Sequence, residues 1–334
     1  MEIKISPQKL RKIFNASKKR KIAVIGDVML DKYVYGDVSR ISPEAPVQVV
    51  DIKSTEYKLG GAANVANNIK SLEAEPVLIG VIGDDIDGDY FLETMRKQNL
   101  LTKGIFKDTT RPTTTKTRVI AHSQHIIRID SEKKLDIMGK AGKDILRFIK
   151  SNLDEFDSVI LQDYNKGVLS KDAIQGIISL CKENKKPVYV DPKFNNFFEY
   201  KDVTIFKPNR KEIQDVLGIR IDGDDSAFDA GRKLIEIINC KWLIITRGEK
   251  GMMLFDKEKG KYVVYNIPTH AIKVADVSGA GDTVISTLAV ALSGGASIRE
   301  AIILANHAAG LVCEEVGIVP IYKKDLMASF RNMK

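Results

Sequence analysis

Cysteine is scarce in this chain. Its three residues, Cys181, Cys240 and Cys313, are odd in number and far apart in apolar stretches. That excludes a disulfide framework and a cysteine metal site by spacing, and leaves buried free thiols of a reducing compartment as the expectation. The four histidines form no ligand-spaced motif with a cysteine or with one another. Long apolar runs are missing too. Stretches such as Thr283 to Leu292 are too short to span a bilayer, and the N-terminus shows no signal-peptide pattern. The expectation is a cytoplasmic protein with no membrane partner. No repeat, low-complexity tract or linker divides the chain, which reads as one domain over residues 1–334.

What is present is an ordinary globular composition. Of 334 residues, 44% are hydrophobic and 29% charged, enough for one large α/β domain. The net charge is +8. Much of the excess falls early, where Lys9, Arg11, Lys12, Lys18, Lys19, Arg20 and Lys21 alternate with Leu10, Ile13 and Phe14. That pattern is a short amphipathic helix with a solvated basic face. The remaining basic residues are dispersed and lack aromatic interleaving, so nucleic acid is not an expected partner.

Short β-branched runs recur along the chain: Lys21 to Gly26, Pro76 to Ile82, Ser158 to Gln162, Pro187 to Asp191, Val203 to Lys207 and Trp242 to Thr246. Helical patterns separate most of them, at Asp89 to Gln98, Ala141 to Lys150, Lys171 to Glu183, Asn209 to Leu217 and Ser226 to Ile238. This alternation predicts a mostly parallel sheet covered on both faces. Residues 32–58 and 113–130 break it with apolar and polar residues in alternation. Both read as antiparallel strands outside the main sheet, together a small β-lid.

Three motifs carry chemistry. The sharpest is Asp276-Val-Ser-Gly-Ala-Gly-Asp282, followed at once by a small-residue apolar helix. Gly279, Ala280 and Gly281 turn main-chain amides to one point at a helix start, which makes an anion site. A carboxylate beside bound phosphate adds repulsion unless it accepts a proton from an attacking hydroxyl. An N-capping aspartate after a glycine turn explains Asp282 equally well. The second motif is Gly60-Gly61-Ala62-Ala63-Asn64 at a helix start, suited to close ligand approach or to tight packing. The third is Gly26-Asp27-Val-Met-Leu-Asp31 at a strand's carboxyl end, where α/β sheets place ligands. Two carboxylates four apart suit vicinal hydroxyls, and solvated turn acids fit the same spacing.

In this order the motifs resemble the ribokinase-like (PfkB-type) carbohydrate kinases, from about Lys21 to Val319. The resemblance implies a three-layer α/β/α sandwich with a β-lid, and an ATP- and Mg²⁺-dependent sugar kinase. It implies Asp282 as catalytic base, with Gly279, Ala280 and Gly281 as the anion hole. Asp31, Gly60, Gly61 and Asn64 would face the sugar. Asn209-Arg-Lys-Glu212 matches the motif linked to magnesium and phosphate, with Glu212 acting on the metal through water. Thr246, Arg247, Gly248, Gly251 and Asn306 would border the nucleotide, and Lys193 would approach its phosphates. A finer likeness lies in Ile41-Ser-Pro-Glu-Ala-Pro-Val47, Asp163-Tyr164, Lys166-Gly167 and Asp191-Pro-Lys193. These strings are similar to the branch acting on the anomeric hydroxyl of a heptose 7-phosphate. That branch is often fused to a nucleotidyltransferase, a step expected here to fall to another protein. Asp27, Asp163 and the cations Arg40, Lys116, Arg118 and Lys166 are the further candidates for binding such a sugar phosphate. In the family, exposed lids pair between subunits, so a homodimer is expected through Val47, Val49 and Ile52.

The sequence departs from the family at Ser278, Gln162 and Lys207, where threonine, a small residue and threonine are usual. None removes a candidate catalytic group. The rival readings are a kinase of the same fold for ribose, a fructose phosphate, a ketodeoxy sugar acid or a nucleoside, and a catalytically silent sugar or nucleotide sensor.

Overall fold

The structure is a computed structural model describing residues 5–122, 124–258, 261–269 and 274–330. Helix α1 (Pro7–Ser17) leads into strand β1 (Lys21–Gly26). Two long strands follow, β2 (Val28–Ile41) and β3 (Gln48–Gly61), then α2 (Ala62–Ser71), β4 (Glu75–Gly83), α3 (Ile86–Lys97) and β5 (Ile105–Asp108). A second hairpin, β6 (Thr115–Ala121) and β7 (Gln124–Ser131), precedes α4 (Gly139–Asn152). The alternation continues with β8 (Ser158–Gln162), α5 (Lys171–Glu183), β9 (Val188–Asp191), β10 (Ile205–Phe206), α6 (Arg210–Leu217), α7 (Asp224–Ile238) and β11 (Trp242–Thr246). The remaining described strands and α-helices are β12 (Met252–Glu258), β13 (Lys261–Ile267), α8 (Ala280–Ser293), α9 (Ile298–Cys313) and α10 (Lys323–Ser329).

The main sheet has the order β13-β12-β11-β10-β9-β8-β1-β4-β5. Every pair from β11 to β5 is parallel, and β12 and β13 add an antiparallel edge. That edge and β5 are absent from the strands read in the sequence. Parallel strands must be buried on both faces, and β1 shows how the residue alternation meets this demand. Ile22 and Val24 join one core with Leu10 of α1, Ile69 of α2, Ile285 of α8 and Leu304 of α9. Ala23 and Ile25 join the other with Ile145 of α4, Ile177 of α5 and Leu234 of α7. The result is three layers, α/β/α. The basic N-terminal segment forms the expected amphipathic helix, burying Leu10, Ile13 and Phe14.

Helix α8 is buried at every position from Asp282 to Ala291. A helix apolar all round belongs inside a layer, and its small residues let α9 and the sheet close on it. It begins at Ala280, three residues before the apolar stretch at Thr283 read as helix, so Asp282 lies within its first turn.

The second sheet has the order β3-β2-β6-β7. Each of its hairpins is antiparallel, as expected, but β2 and β6 join them in parallel, from Leu30 opposite Thr115 to Gly36 opposite Ala121. The cause is the exit direction. β2 follows the carboxyl end of β1, and β6 follows that of β5, so both leave the same sheet edge. The lid is rooted in the core through Val28, Leu30 and Leu59. Its outer part exposes Ile41, Val47, Ile52, Ile127 and Ile129.

Candidate active site

A cleft of about 720 Å³ opens at the carboxyl edge of the main sheet. Gly279 to Asp282 line its floor, with Gln162 to Tyr164 and Asp191 on one side and Asn209 and Glu212 on another. Thr246, Gly248, Gly251 and Asn306 line it farther along β11 and α9. The structure therefore gathers most of the nucleotide-side candidates around the Gly-Ala-Gly-Asp turn.

Gly279 caps α8 with φ of 80°, a left-handed conformation that only glycine adopts without strain. The first i to i−4 bond of the helix runs from the Thr283 N–H to the Gly279 carbonyl at 2.9 Å. The amides of Gly281 and Asp282 thus lie ahead of the helical ladder, where an anion is favoured. A Cβ at Gly281 would meet Lys207 Nζ at 3.6 Å and Asp191 Oδ2 at 3.7 Å, ordinary contacts. Packing within the protein does not demand that glycine. Asp276 holds the turn from below: its carboxylate accepts from the amides of Ser278 at 2.9 Å and Gly317 at 3.0 Å.

Asp282 is buried. Its Oδ2 accepts from Asn64 Nδ2 at 2.8 Å, and its Oδ1 from Gln162 Nε2 at 3.0 Å and the Tyr164 hydroxyl at 2.7 Å. Burial pushes its pKa up to about 6, against the opposing pull of the Asn64 and Tyr164 hydrogen bonds. A carboxylate so poised is ionised at neutral pH yet basic enough to take a proton.

Asn209 and Glu212 form a reciprocal capping box on α6: Glu212 N–H donates to Asn209 Oδ1, and Asn209 N–H to Glu212 Oε2, both at 2.8 Å. The Asn-x-x-Glu spacing is therefore a structural device at the cleft wall. Glu212 Oε1 pairs with Lys193 Nζ. Lys207, with a side chain only 3% exposed, pairs with Asp191 at 3.0 Å beside the glycine turn.

On the lid side, Asp31 is buried and pairs through Oδ1 with Arg118, while its Oδ2 has no hydrogen-bond partner among the described residues. Burial raises its pKa, and Arg118 opposes that. A Cβ at Gly60 would lie 2.1 Å from that same Oδ2, so the glycine is required by the carboxylate's approach. Gly61, at φ of 59°, abuts the Asp27 carbonyl. Lys116 and Lys166 share Glu132, at 3.8 and 2.7 Å.

Several candidates stand elsewhere than the sequence suggests. Asp27 does not join Asp31. Its Oδ2 accepts from the amides of Tyr164 and Lys166 at 2.8 and 2.9 Å, and its Oδ1 from that of Val168 at 3.0 Å. It pins the loop after β8. Asp163 borders the cleft, but its oxygens hold the Asn165 amide at 2.7 Å and the Tyr200 hydroxyl at 2.7 Å. Burial and the nearby Asp27 charge raise its pKa to about 7. Arg247 turns away to Asp224 and the Lys250 carbonyl, tying α7 to the β11 turn. Arg40 is exposed on outer β2, opposite Val49, and does not line the cleft. The Asn306 amide donates to the Pro268 carbonyl at 2.7 Å.

Sequence reading missed Tyr164, Gln162 and Lys207 as site residues. The last two were visible only as departures from a family pattern, and Tyr164 only as part of a matching string.

A profile of the pfkB family carbohydrate kinases matches residues 19–324. The chain is similar to the bifunctional protein HldE of Pelobacter propionicus, 41% identical over 92% of this chain and 62% of that protein. It is similar to the bifunctional protein HldE of Helicobacter pylori, 42% identical over 89% of this chain and 64% of that protein. It therefore spans somewhat under two thirds of the length of these curated relatives. Among solved structures, Arabidopsis thaliana ribokinase complexed with ribose and ATP superposes with a TM-score of 0.73 at 20% identity, over 93% of this chain and 98% of that one. A putative phosphofructokinase from Staphylococcus aureus superposes at 0.74 with 18% identity, over 92% and 95%. These two likenesses share the fold.

Proposed function

The chain belongs to the pfkB family of carbohydrate kinases, and we propose that it transfers the γ-phosphoryl group of ATP to the anomeric hydroxyl of D-glycero-β-D-manno-heptose 7-phosphate. The observation that carries this reading is the buried Asp282 at the start of α8, beside a glycine turn that lines the cleft, where the amides of Gly281 and Asp282 lie ahead of the helical ladder and that of Ala280 is bonded to the Val277 carbonyl. Asp282 takes the proton of the acceptor hydroxyl, and the Gly279–Gly281 turn holds charge on the phosphoryl oxygens. The nucleotide lies toward Thr246, Gly248, Gly251 and Asn306. Lys207 and Lys193 border the phosphate path. The whole chain acts as one kinase domain.

The residues present suit magnesium held mostly by water. No cluster of three metal-ligating side chains occurs among the described residues. Glu212 Oε1 is a hard oxygen at the cleft wall, already paired with a cation. Glu212 would hold the ion through water, and bound magnesium would neutralise phosphate charge.

The sugar lies under the lid, with a hydroxyl toward the unpartnered Oδ2 of Asp31. Arg118, Lys116 and Lys166 supply positive charge for a phosphate remote from the reacting hydroxyl. Lid closure excludes water. The exposed apolar face of Val47, Ile52, Ile127 and Ile129 is covered by a second copy of the chain in a homodimer. The setting is the cytoplasm, and the 1,7-bisphosphate product feeds a nucleotidyl transfer towards ADP-heptose.

Phosphorus NMR tests the substrate. The expected product from heptose 7-phosphate and ATP carries a new anomeric phosphate signal. ADP release with ribose or a fructose phosphate, and none with the heptose, would replace this reading by another sugar of the same class.

A further inference from the structure

We propose that Tyr164 and Gln162 are positioning residues that close Oδ1 of Asp282, leaving Oδ2 as the carboxylate oxygen that receives the acceptor proton. The inference rests on the reading of Asp282 as the base and deepens it.

An ionised carboxylate offers about four lone-pair sites, two on each oxygen. Oδ1 of Asp282 already accepts two hydrogen bonds, from Gln162 Nε2 at 3.0 Å and the Tyr164 hydroxyl at 2.7 Å. Oδ2 accepts one, from Asn64 at 2.8 Å. With the described residues one site remains, and it is on Oδ2. The acceptor O–H bond gives its proton there, and its electron pair forms the new bond to phosphorus. The bond to the bridging oxygen of the nucleoside triphosphate breaks, and that oxygen leaves with the pair on the diphosphate.

Both donors are themselves held. The Gln162 amide also donates to Asp191 Oδ2 at 3.2 Å, and Lys207 holds the other oxygen of Asp191 at 3.0 Å. The flipped amide would set its oxygen against two carboxylates, so chemistry decides its orientation. Tyr164 is fixed through its main chain, whose N–H donates to the buried Asp27 at 2.8 Å. Asp27 thus acts on the base through the loop it pins. Burial, and then the charge of Asp282, hold the Tyr164 pKa well above the usual phenol value. The hydroxyl therefore stays a donor across the working pH range.

Among the described residues, the charged groups facing Asp282 are few. Asp191 on β9 raises its pKa and Lys207 after β10 lowers it. From α2 and the end of β8 come the neutral Asn64 and Gln162, and the Asp163 carboxylate is turned to Tyr200. Lys193 lies 5.8 Å above the Tyr164 ring.

The pH profile of kcat in Tyr164→Phe tests the inference, with Gln162→Ala as a second variant that installs a small residue. Removing a donor to the ionised form favours the protonated one, so the acid limb should move up by roughly one pH unit. On the alkaline plateau kcat should fall about tenfold as the carboxylate loses its fixed geometry, with KM for ATP unchanged. A purely structural role would not move the limb. If Asp282→Asn abolishes turnover while both variants keep the wild-type acid limb, the positioning inference is wrong and the base stands. Should Asp282→Asn retain turnover, both fall together.

Discussion

Around Asp282, hydrogen bonds join the polar side chains to one another before any ligand arrives: Asn64, Gln162 and Tyr164 on the carboxylate, Asp191 on Gln162, Lys207 on Asp191. The lid is built differently. Its charges are long side chains paired among themselves, Arg118 on Asp31 and two lysines on Glu132, while the outer face leaves Ile52 and Val47 exposed. The floor is held because Asn64, Gln162, Lys207 and Asp282 are buried and bonded within one polar network. The outer lid differs in being solvated, with Ile41, Val47, Ile52, Ile127 and Ile129 exposed. In the proposed reading the floor carries the chemistry and the lid carries the choice of sugar.

The largest test of this contrast is on the floor. Asp282→Asn should lower kcat by ~1000-fold or more while nucleotide still binds, measured by steady-state turnover and calorimetric titration with ATP. Near-normal turnover would remove the floor's special role. On the lid, Arg118→Met should raise KM for the sugar phosphate by roughly 10–100-fold, the loss of one charge-assisted contact, with kcat within about threefold. An equal fall in kcat would mean that the lid takes part in the chemical step. The smallest expected change in turnover is for Ile52→Asp, within about twofold. Light scattering should then show a dimer becoming a monomer, since a charge replaces exposed apolar area that pairing would bury. A monomeric wild-type protein at micromolar concentration would leave the lid face without the proposed partner.

Legibility follows the same division. The glycine turn and the helix after it were readable because the residues that shape them are neighbours in the chain, whereas Asn209-x-x-Glu212 was legible only as a family motif and its capping box emerged from the structure. The parallel strands were readable because burial on both faces forces continuous apolar runs. β12 and β13 were not: Met252 to Phe255 are buried throughout yet include no β-branched residue, and β13 is a partly buried edge strand. Asp27 and Asp31 look equivalent in sequence, four apart on one strand end. Asp27 lies in the junction between β1 and β2 and turns to the loop at Tyr164, whereas Asp31 lies within β2 and pairs with Arg118 on the neighbouring β6. Arg247 matched a family string, yet its side chain follows Asp224 away from the cleft.

By itself the sequence determined the layered sheet, the glycine turn and the carboxylate at its end, because periodicity and helix-start chemistry are properties of neighbouring residues. Only the tertiary structure decided which groups touch that carboxylate. Asn64, Gln162 and Tyr164 reach Asp282 from 218, 120 and 118 residues away. Contacts at such separations depend on strand order and on a buried aspartate holding a loop in place, and no local pattern encodes either.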